Sequence, residues 1–173
     1  VSSVSSLPLA VDEWNCDVVV TASQKGWMVP PGLAFISMSK EAWKANEVAS
    51  MPRFYFDLSK AKDSLAKGET PWTPVLSAIF AMDVALKRIK DEGIENVFAR
   101  HAALGNFTRK GIESIGLSIL PNKEVASNTV TAVTMPGGLD IVKFRKILRD
   151  EHDVVVAGGQ GTLQNKIFRI GHL

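Results

Sequence analysis

The chain has 173 residues, of which 46% are hydrophobic and 22% charged, and its formal net charge is +2. These values are ordinary for a globular protein with a sizeable core, and they exclude a strongly basic surface of the kind that binds nucleic acid. No apolar run approaches the roughly 20 residues needed to cross a bilayer, so no membrane partner is expected. The single cysteine, Cys16, cannot form an internal disulfide, which fits a reducing compartment such as the cytoplasm.

The first predicted elements are two strands joined by a loop that carries a lysine. A β-branched run at 17–21 and an apolar run at 33–38 predict the strands, and Lys25 lies between them, before a Pro-Pro-Gly turn. A lysine amine that is desolvated loses its proton readily and can form a Schiff base with a carbonyl compound. A surface lysine in a loop is the commoner alternative for such a residue.

The next forty residues predict short elements. Ser39 is a suitable N-cap for a short helix, the aromatic run at 54–56 is interpreted as extended, and the polar residues 59–68 are interpreted as a solvated helix or loop. Two prolines and two threonines at 69–75 predict a rigid loop that leads into a helix.

Apolar residues at helical spacing then predict two long helices. The first is expected to end at Gly93, and the second runs from near residue 94 to Gly116. His101 and Arg109 are expected on the solvated surface of the second helix.

The last sixty residues predict a separate α+β unit with the order β-β-α-β-β. Asp140 is positioned to cap its helix, and Ala157-Gly158-Gly159-Gln160-Gly161 is interpreted as a flexible loop rather than a phosphate-binding loop, because no helix pattern follows it. The four strands are expected at 117–120, 128–135, 154–156 and 166–170.

Arg169 lies within an apolar strand pattern, where a buried guanidinium needs an anionic partner. A bidentate arginine can hold the carboxylate of a ligand, and it can equally pair with a carboxylate of the protein. Taken alone, the pattern favours the structural ion pair.

Four motifs in order, Ser23-Gln24-Lys25-Gly26, Pro30-Pro31-Gly32, Thr73-Pro74 and Phe168-Arg169-Ile170-Gly171, resemble those of the class V, fold-type I pyridoxal-phosphate aminotransferases. The most similar subgroup is the serine/alanine–glyoxylate aminotransferases. The resemblance covers essentially the whole chain, and its weight comes from the ordered set rather than from a single motif. It implies an α/β fold: residues 1–93 would be the end of the large mixed-sheet cofactor domain, and 94–173 an incomplete α+β small domain.

The resemblance also implies roles for six residues. Lys25 matches the internal-aldimine lysine, Gln24 a residue near the cofactor phosphate, and Val1 an apolar residue packed against the pyridine ring. Thr73 matches a residue that reaches the cofactor phosphate of the neighbouring subunit of a homodimer. Thr70 stands where the family often has an aromatic residue, although its hydroxyl could bind phosphate. Arg169 matches the arginine that holds the α-carboxylate of the substrate.

The implied activity is an EC 2.6.1 type of reaction, transamination of a small amino acid such as serine or alanine to a 2-oxo acid such as glyoxylate, with pyridoxal 5'-phosphate as cofactor. Both ends of the sequence read as cut from a longer protein, so a polypeptide of these residues alone is expected to be inactive. Two alternatives stay open at this point: another class V activity, such as a lyase or desulfurase, and a non-catalytic subunit that keeps the fold as a scaffold.

Overall fold

The computed structural model describes residues 1–173 and divides them into two units. The first unit contains residues 1–4 and 9–90, and the second contains residues 5–8 and 91–173. The domain boundary placed by sequence between residues 93 and 94 stays a prediction. No helix combines the length and the apolar character that crossing a membrane requires.

The first unit is built from one hairpin and three helices. The hairpin pairs two antiparallel strands so that Val20 lies opposite Ile36. Ser39 caps the first helix as predicted, because its hydroxyl oxygen accepts a hydrogen bond from the backbone N–H of Ala42 at 3.0 Å. The elements are β1 (Val18–Ala22), β2 (Ala34–Met38), α1 (Lys40–Val48), α2 (Leu58–Leu65) and α3 (Leu76–Glu92).

The core of the first unit lies along one side of α3. Ala78, Met82 and Ala85 recur at helical spacing and are buried against Val29, which follows the lysine-bearing loop. Four partly buried residues complete the cluster: Trp27, Leu33, Phe35 and Ala81. The loop between β1 and β2 is therefore anchored to a helix by apolar packing.

The second unit packs two helices with a four-stranded antiparallel sheet. The strands follow the spatial order β3-β4-β6-β5, so β5 is at an edge. This arrangement agrees with the β-β-α-β-β order predicted for the last sixty residues. The elements are α4 (Ile94–Ser114), β3 (Ser118–Ile119), β4 (Val130–Thr134), α5 (Ile141–His152), β5 (Ala157–Gly158) and β6 (Ile167–Gly171).

The core of the second unit forms where both helices meet one face of the sheet. Val133 of β4 is fully buried, and Ile112, Ile141 and Phe168 join it. The Phe168 ring lies 5.3 Å from that of Phe144 on α5. Because side chains alternate along a strand, Arg169 projects from the face opposite Phe168.

Two local predictions are wrong. Residues 54–56 form a turn instead of an extended segment. The strand expected at 154–156 falls instead on Ala157–Gly158, because the valines before it stay outside the sheet and Val155 is 80% exposed. A valine run favours a strand only where a partner is available for pairing.

The surface positions expected on α4 are also wrong. His101 is buried, and its Nδ1 lies 2.8 Å from the carbonyl oxygen of Val97. Arg109 is half-buried and donates to the Ser127 carbonyl at 2.9 Å and to Asn128 Oδ1 at 2.9 Å. These bonds tie α4 to the residues that precede β4.

Two glycines of α4 provide a test of this packing. A Cβ at Gly105 would lie 3.0 Å from the Asn128 backbone, whereas a Cβ at Gly111 would meet nothing within 4 Å. We expect Gly105→Ala to destabilise the protein by about 1–3 kcal/mol because of overpacking. Gly111→Ala should stabilise it by about 0.5–1 kcal/mol because alanine favours helix. Melting temperatures of the two variants measure the difference, and a Gly105→Ala variant as stable as Gly111→Ala would contradict the packing described.

Candidate active site

The lysine selected by sequence lies in a tight turn directly after β1. The backbone N–H of Lys25 donates to the Ala22 carbonyl at 3.2 Å, and its own carbonyl accepts from Met28 at 3.0 Å. The side chain is exposed, and its amine makes no hydrogen bond or ion pair. This chain therefore does not bury the Lys25 side chain as the expected desolvation would require. The amine has no partner within the chain, so it is available to bond to an aldehyde.

Ser23 fixes the loop that carries Lys25. It is fully buried, and its hydroxyl donates to the Pro30 carbonyl at 2.7 Å while accepting from the Leu33 N–H at 3.2 Å. Its backbone N–H donates to the Leu33 carbonyl at 3.0 Å, and its carbonyl accepts from Val29 at 3.1 Å. Sequence reasoning missed this role, although a serine between a β-branched run and a Pro-Pro-Gly turn was a usable signal.

The two other residues assigned near the ring and phosphate lie in the same unit as Lys25. Gln24 is its neighbour in the chain and is exposed. Val1 is also exposed, and the segment that it begins reaches the lysine loop, because the Gly26 N–H donates to the Ser2 carbonyl at 3.4 Å. The structure thus brings the first residues beside the Lys25 loop.

The two threonines assigned to the cofactor phosphate differ in whether their hydroxyl groups are free to donate a hydrogen bond. The Thr70 hydroxyl donates to the Trp72 carbonyl at 2.7 Å, whereas the Thr73 hydroxyl makes no hydrogen bond and is exposed. Trp72 in turn stacks on Tyr55, with ring centroids 5.4 Å apart, and donates from Nε1 to the Tyr55 carbonyl at 3.1 Å. Thr73 is therefore the better placed of the two to donate to an anion.

Arg169 uses one of its five N–H donors within the chain. It lies in β6 between β4 and β5, is half-buried, and donates from Nε to the Gly158 carbonyl at 2.8 Å. It makes no ion pair, so the structural pair that the pattern alone favoured is not formed. Its two terminal nitrogens make no hydrogen bond in the chain, and they retain the fork geometry that fits a carboxylate.

His172 directly follows β6, the strand that carries Arg169. Its Nδ1 lies 2.9 Å from the Asn128 carbonyl, an acceptor, so Nδ1 carries the proton and Nε2 accepts from the Thr131 hydroxyl at 3.0 Å. Burial, and to a smaller extent Coulombic interaction with Arg109 and His101, lowers the pKa of His172 below its ordinary value of about 6.5. The hydrogen bond to Asn128 opposes that shift without cancelling it.

The available side chains match the needs of a carbonyl cofactor that acts on amino acids. An exposed amine on a fixed loop can bond to an aldehyde, a free hydroxyl can donate to a phosphate, and an arginine with free terminal nitrogens can bind a carboxylate. Lys25, Gln24, Val1, Thr70 and Thr73 belong to the first unit, and Arg169 belongs to the second.

Comparison with known proteins identifies the family. Residues 1–171 match the model of the aminotransferase class-V family, and the chain belongs to that family.

Three similar proteins illustrate the range of relatives. The chain is 42% identical over its full length to a protein of Synechococcus sp. named soluble hydrogenase, small subunit, covering 45% of that protein. It is 38% identical to the serine–glyoxylate aminotransferase of Methylorubrum extorquens, covering all of this chain and 44% of that enzyme. The crystal structure of an alanine–glyoxylate aminotransferase from Nostoc sp. superposes with a TM-score of 0.93 at 29% identity, covering 99% of this chain and 46% of that one.

These matches confirm the predicted fold, that of the fold-type I pyridoxal-phosphate aminotransferases. The chain spans somewhat less than half the length of the curated relatives it matches.

The lowered pKa of His172 makes the stability of the protein depend on pH. A histidine whose pKa is lower in the folded than in the unfolded state stabilises the fold fully above about pH 6.5, and this contribution is lost as the pH falls through the folded value. We expect His172→Asn, whose amide nitrogen can replace Nδ1, to lose less stability than wild type between pH 7 and pH 5. Melting temperature against pH measures this, with His152→Asn on the exposed end of α5 as the control. Identical pH profiles for wild type and His172→Asn would contradict the assignment.

Proposed function

We propose that the complete protein containing this chain is a pyridoxal-phosphate-dependent aminotransferase that transfers the amino group of serine or alanine to glyoxylate or another small 2-oxo acid. The observation that carries the proposal is a pair of unpartnered groups, the Lys25 amine and the Arg169 fork, in a chain of the class V family. Glyoxylate is named as acceptor because two of the relatives above share it in their names. A screen of serine, alanine and aspartate as donors with glyoxylate tests the substrate class.

In this proposal Lys25 holds the cofactor covalently through its amine. Gln24 and Val1, which belong to segments adjoining the lysine loop, would line the phosphate side and the ring respectively. Pyridoxal phosphate supplies an aldehyde for the amino group and a conjugated ring that stabilises negative charge at the substrate α-carbon. Ser23 fixes the loop and therefore the backbone position of Lys25, while the lysine side chain stays flexible.

The Lys25 amine also moves the proton. The amine would take a proton from the substrate α-carbon as general base, and the ammonium so formed would return that proton as general acid. Arg169 holds the α-carboxylate by two parallel hydrogen bonds from its terminal nitrogens. A carboxylate fixed in this way orients the α-C–H bond for proton removal.

We further propose that the protein is a homodimer in which Thr73, with Thr70, faces the cofactor phosphate bound by the neighbouring subunit. Support comes from the free hydroxyl of Thr73 and from the large exposed aromatic side chains that adjoin its loop, Phe54, Tyr55 and Phe56. Exposed apolar clusters of this kind mark interaction surfaces. A cytoplasmic location stays a prediction that rests on the single cysteine.

The alternatives account for the site less well. A desulfurase needs a catalytic cysteine, usually on a recognisable loop. Cys16 is the one cysteine of the chain, and the sequence around it has no such loop pattern. The relative named as a hydrogenase subunit raises the possibility of a scaffold role, but a scaffold has no need of a free lysine amine and an unpaired arginine fork.

Covalent trapping tests the role of Lys25. We expect borohydride reduction of the complete protein with pyridoxal phosphate to label the peptide that contains Lys25. Lys25→Ala should lose the label and lower kcat by at least about 10²-fold, because the general base is removed. Lys67→Ala, which removes an exposed lysine of the same unit, is the control and should behave as wild type. A protein that gains no visible absorbance with pyridoxal phosphate would exclude the proposed enzyme.

Kinetics test the role of Arg169. We expect Arg169→Ala to raise the KM of the amino donor by about 10²-fold while leaving the Kd of pyridoxal phosphate unchanged, because a charged bidentate pair contributes about 3 kcal/mol. The KM of Arg169→Lys should lie between those of wild type and Arg169→Ala, since an ammonium keeps the charge without the fork. Loss of the cofactor in Arg169→Ala would show that the residue acts on the cofactor instead of the carboxylate.

A further inference from the structure

Two arginines from different elements bind the short edge strand β5 and the residue directly before it. Arg145 of α5 donates from Nε to the Val156 carbonyl at 3.0 Å. Arg169 of β6 donates from Nε to the Gly158 carbonyl at 2.8 Å. The two carbonyls are two residues apart in the chain and lie on either side of Ala157, at the edge formed by β5.

The two arginines approach this strand from different directions. Gly158 lies opposite Phe168, whose ring packs against α5, and Ala157 lies opposite Arg169. Gly158 therefore faces α5 while Arg169 projects from the other face of the sheet. A Cβ at Gly158 would lie 2.7 Å from Arg145 Nη1, so the Arg145 guanidinium occupies the space that the missing side chain leaves.

Little else holds β5 in place. It has two residues, pairs with β6 alone, and follows Val154 and Val155, which are exposed. After it, the Gly159 N–H donates to the Ile167 carbonyl at 3.0 Å. Val156 packs against the core, and the bond from Arg145 to its carbonyl is the one side-chain hydrogen bond between α5 and this edge.

We propose that Arg145 is a positioning residue for Arg169. By fixing β5 it fixes the Gly158 carbonyl, and that carbonyl engages Nε of Arg169 so that only the terminal nitrogens are free to bind a carboxylate. Arg145 thereby sets the affinity for the carboxylate shared by the amino acid and the 2-oxo acid. The proposal rests on the proposed function, since it requires Arg169 to bind substrate.

The test uses the complete protein loaded with pyridoxal phosphate and measures KM for glyoxylate and for the preferred amino donor. We expect Arg145→Met to raise both KM values about tenfold, with kcat and the Kd of pyridoxal phosphate within about twofold of wild type, because a misplaced binding group weakens substrate binding. Arg145→Lys, whose ammonium can still donate to Val156, should restore most of the affinity. Arg149→Met removes an α5 arginine that bonds to its neighbour Asp150, and it should leave both KM values unchanged.

A double variant separates positioning from general destabilisation. In the Arg169→Ala background, Arg145→Met should raise KM no further, because the group that it positions is gone. Gly158→Ala, whose methyl group would displace the Arg145 guanidinium, should reproduce the rise in KM and tests the same link if Arg145→Met fails to fold.

Three outcomes overturn the proposal in distinguishable ways. If Arg169→Ala raises KM but Arg145→Met and Gly158→Ala do not, positioning by Arg145 is wrong and the proposed function stands. If Arg169→Ala itself leaves KM unchanged, the substrate role of Arg169 is wrong, and the positioning role falls with it. A further rise in KM for the double variant would assign Arg145 to general stability.

Discussion

The buried hydroxyl of Ser23 is the interaction on which the first unit depends. It joins the Pro30 carbonyl to the Leu33 N–H, and so it closes the loop between two strands whose own ladder ends at Ala22 and Ala34. A buried hydroxyl without partners would cost about 1–3 kcal/mol, whereas here both its donor and its acceptor capacity are used. Because the loop is fixed at its base and by apolar packing at Val29, Lys25 can be exposed without the loop being mobile.

In the second unit, the arginine that we propose to bind substrate has no charged partner. Arg169 is half-buried and is satisfied at Nε by a neutral carbonyl. A carboxylate in that place would neutralise the guanidinium and occupy its fork, and a ligand carboxylate would then have to compete with it. A carbonyl fixes the orientation of the side chain while leaving its positive charge available. The same logic explains why a resident ion pair, the commoner solution for an arginine in an apolar strand, is missing at this position.

The sequence was informative wherever a local signal decided the structure. The cap at Ser39, the long helices and the order of the last sixty residues follow from side-chain chemistry and periodicity, and they were predicted. Tertiary context decided the rest: the Val154–Val156 run stays outside the sheet because β6 pairs with the glycine-containing segment after it. Likewise, His101 is buried on the same side of α4 as Gly105, which faces the residues before β4. Lys25 and Arg169 were selected by ordered resemblance. Ser23 had a usable signal in its place before the Pro-Pro-Gly turn, whereas Arg145 bonds to a backbone carbonyl that no sequence pattern displays.

The surroundings of β6 indicate where variation in substrate affinity would arise. On one side the strand pairs along its whole length with β4, and His172 extends that attachment through Asn128 and Thr131. On the other side it meets a strand of two residues. The β4 side therefore fixes the backbone of Arg169, while the β5 side sets the direction of its side chain. If Arg169 binds the substrate carboxylate as proposed, changes along β5 would redirect the fork while the ladder to β4 keeps the backbone of Arg169 in place.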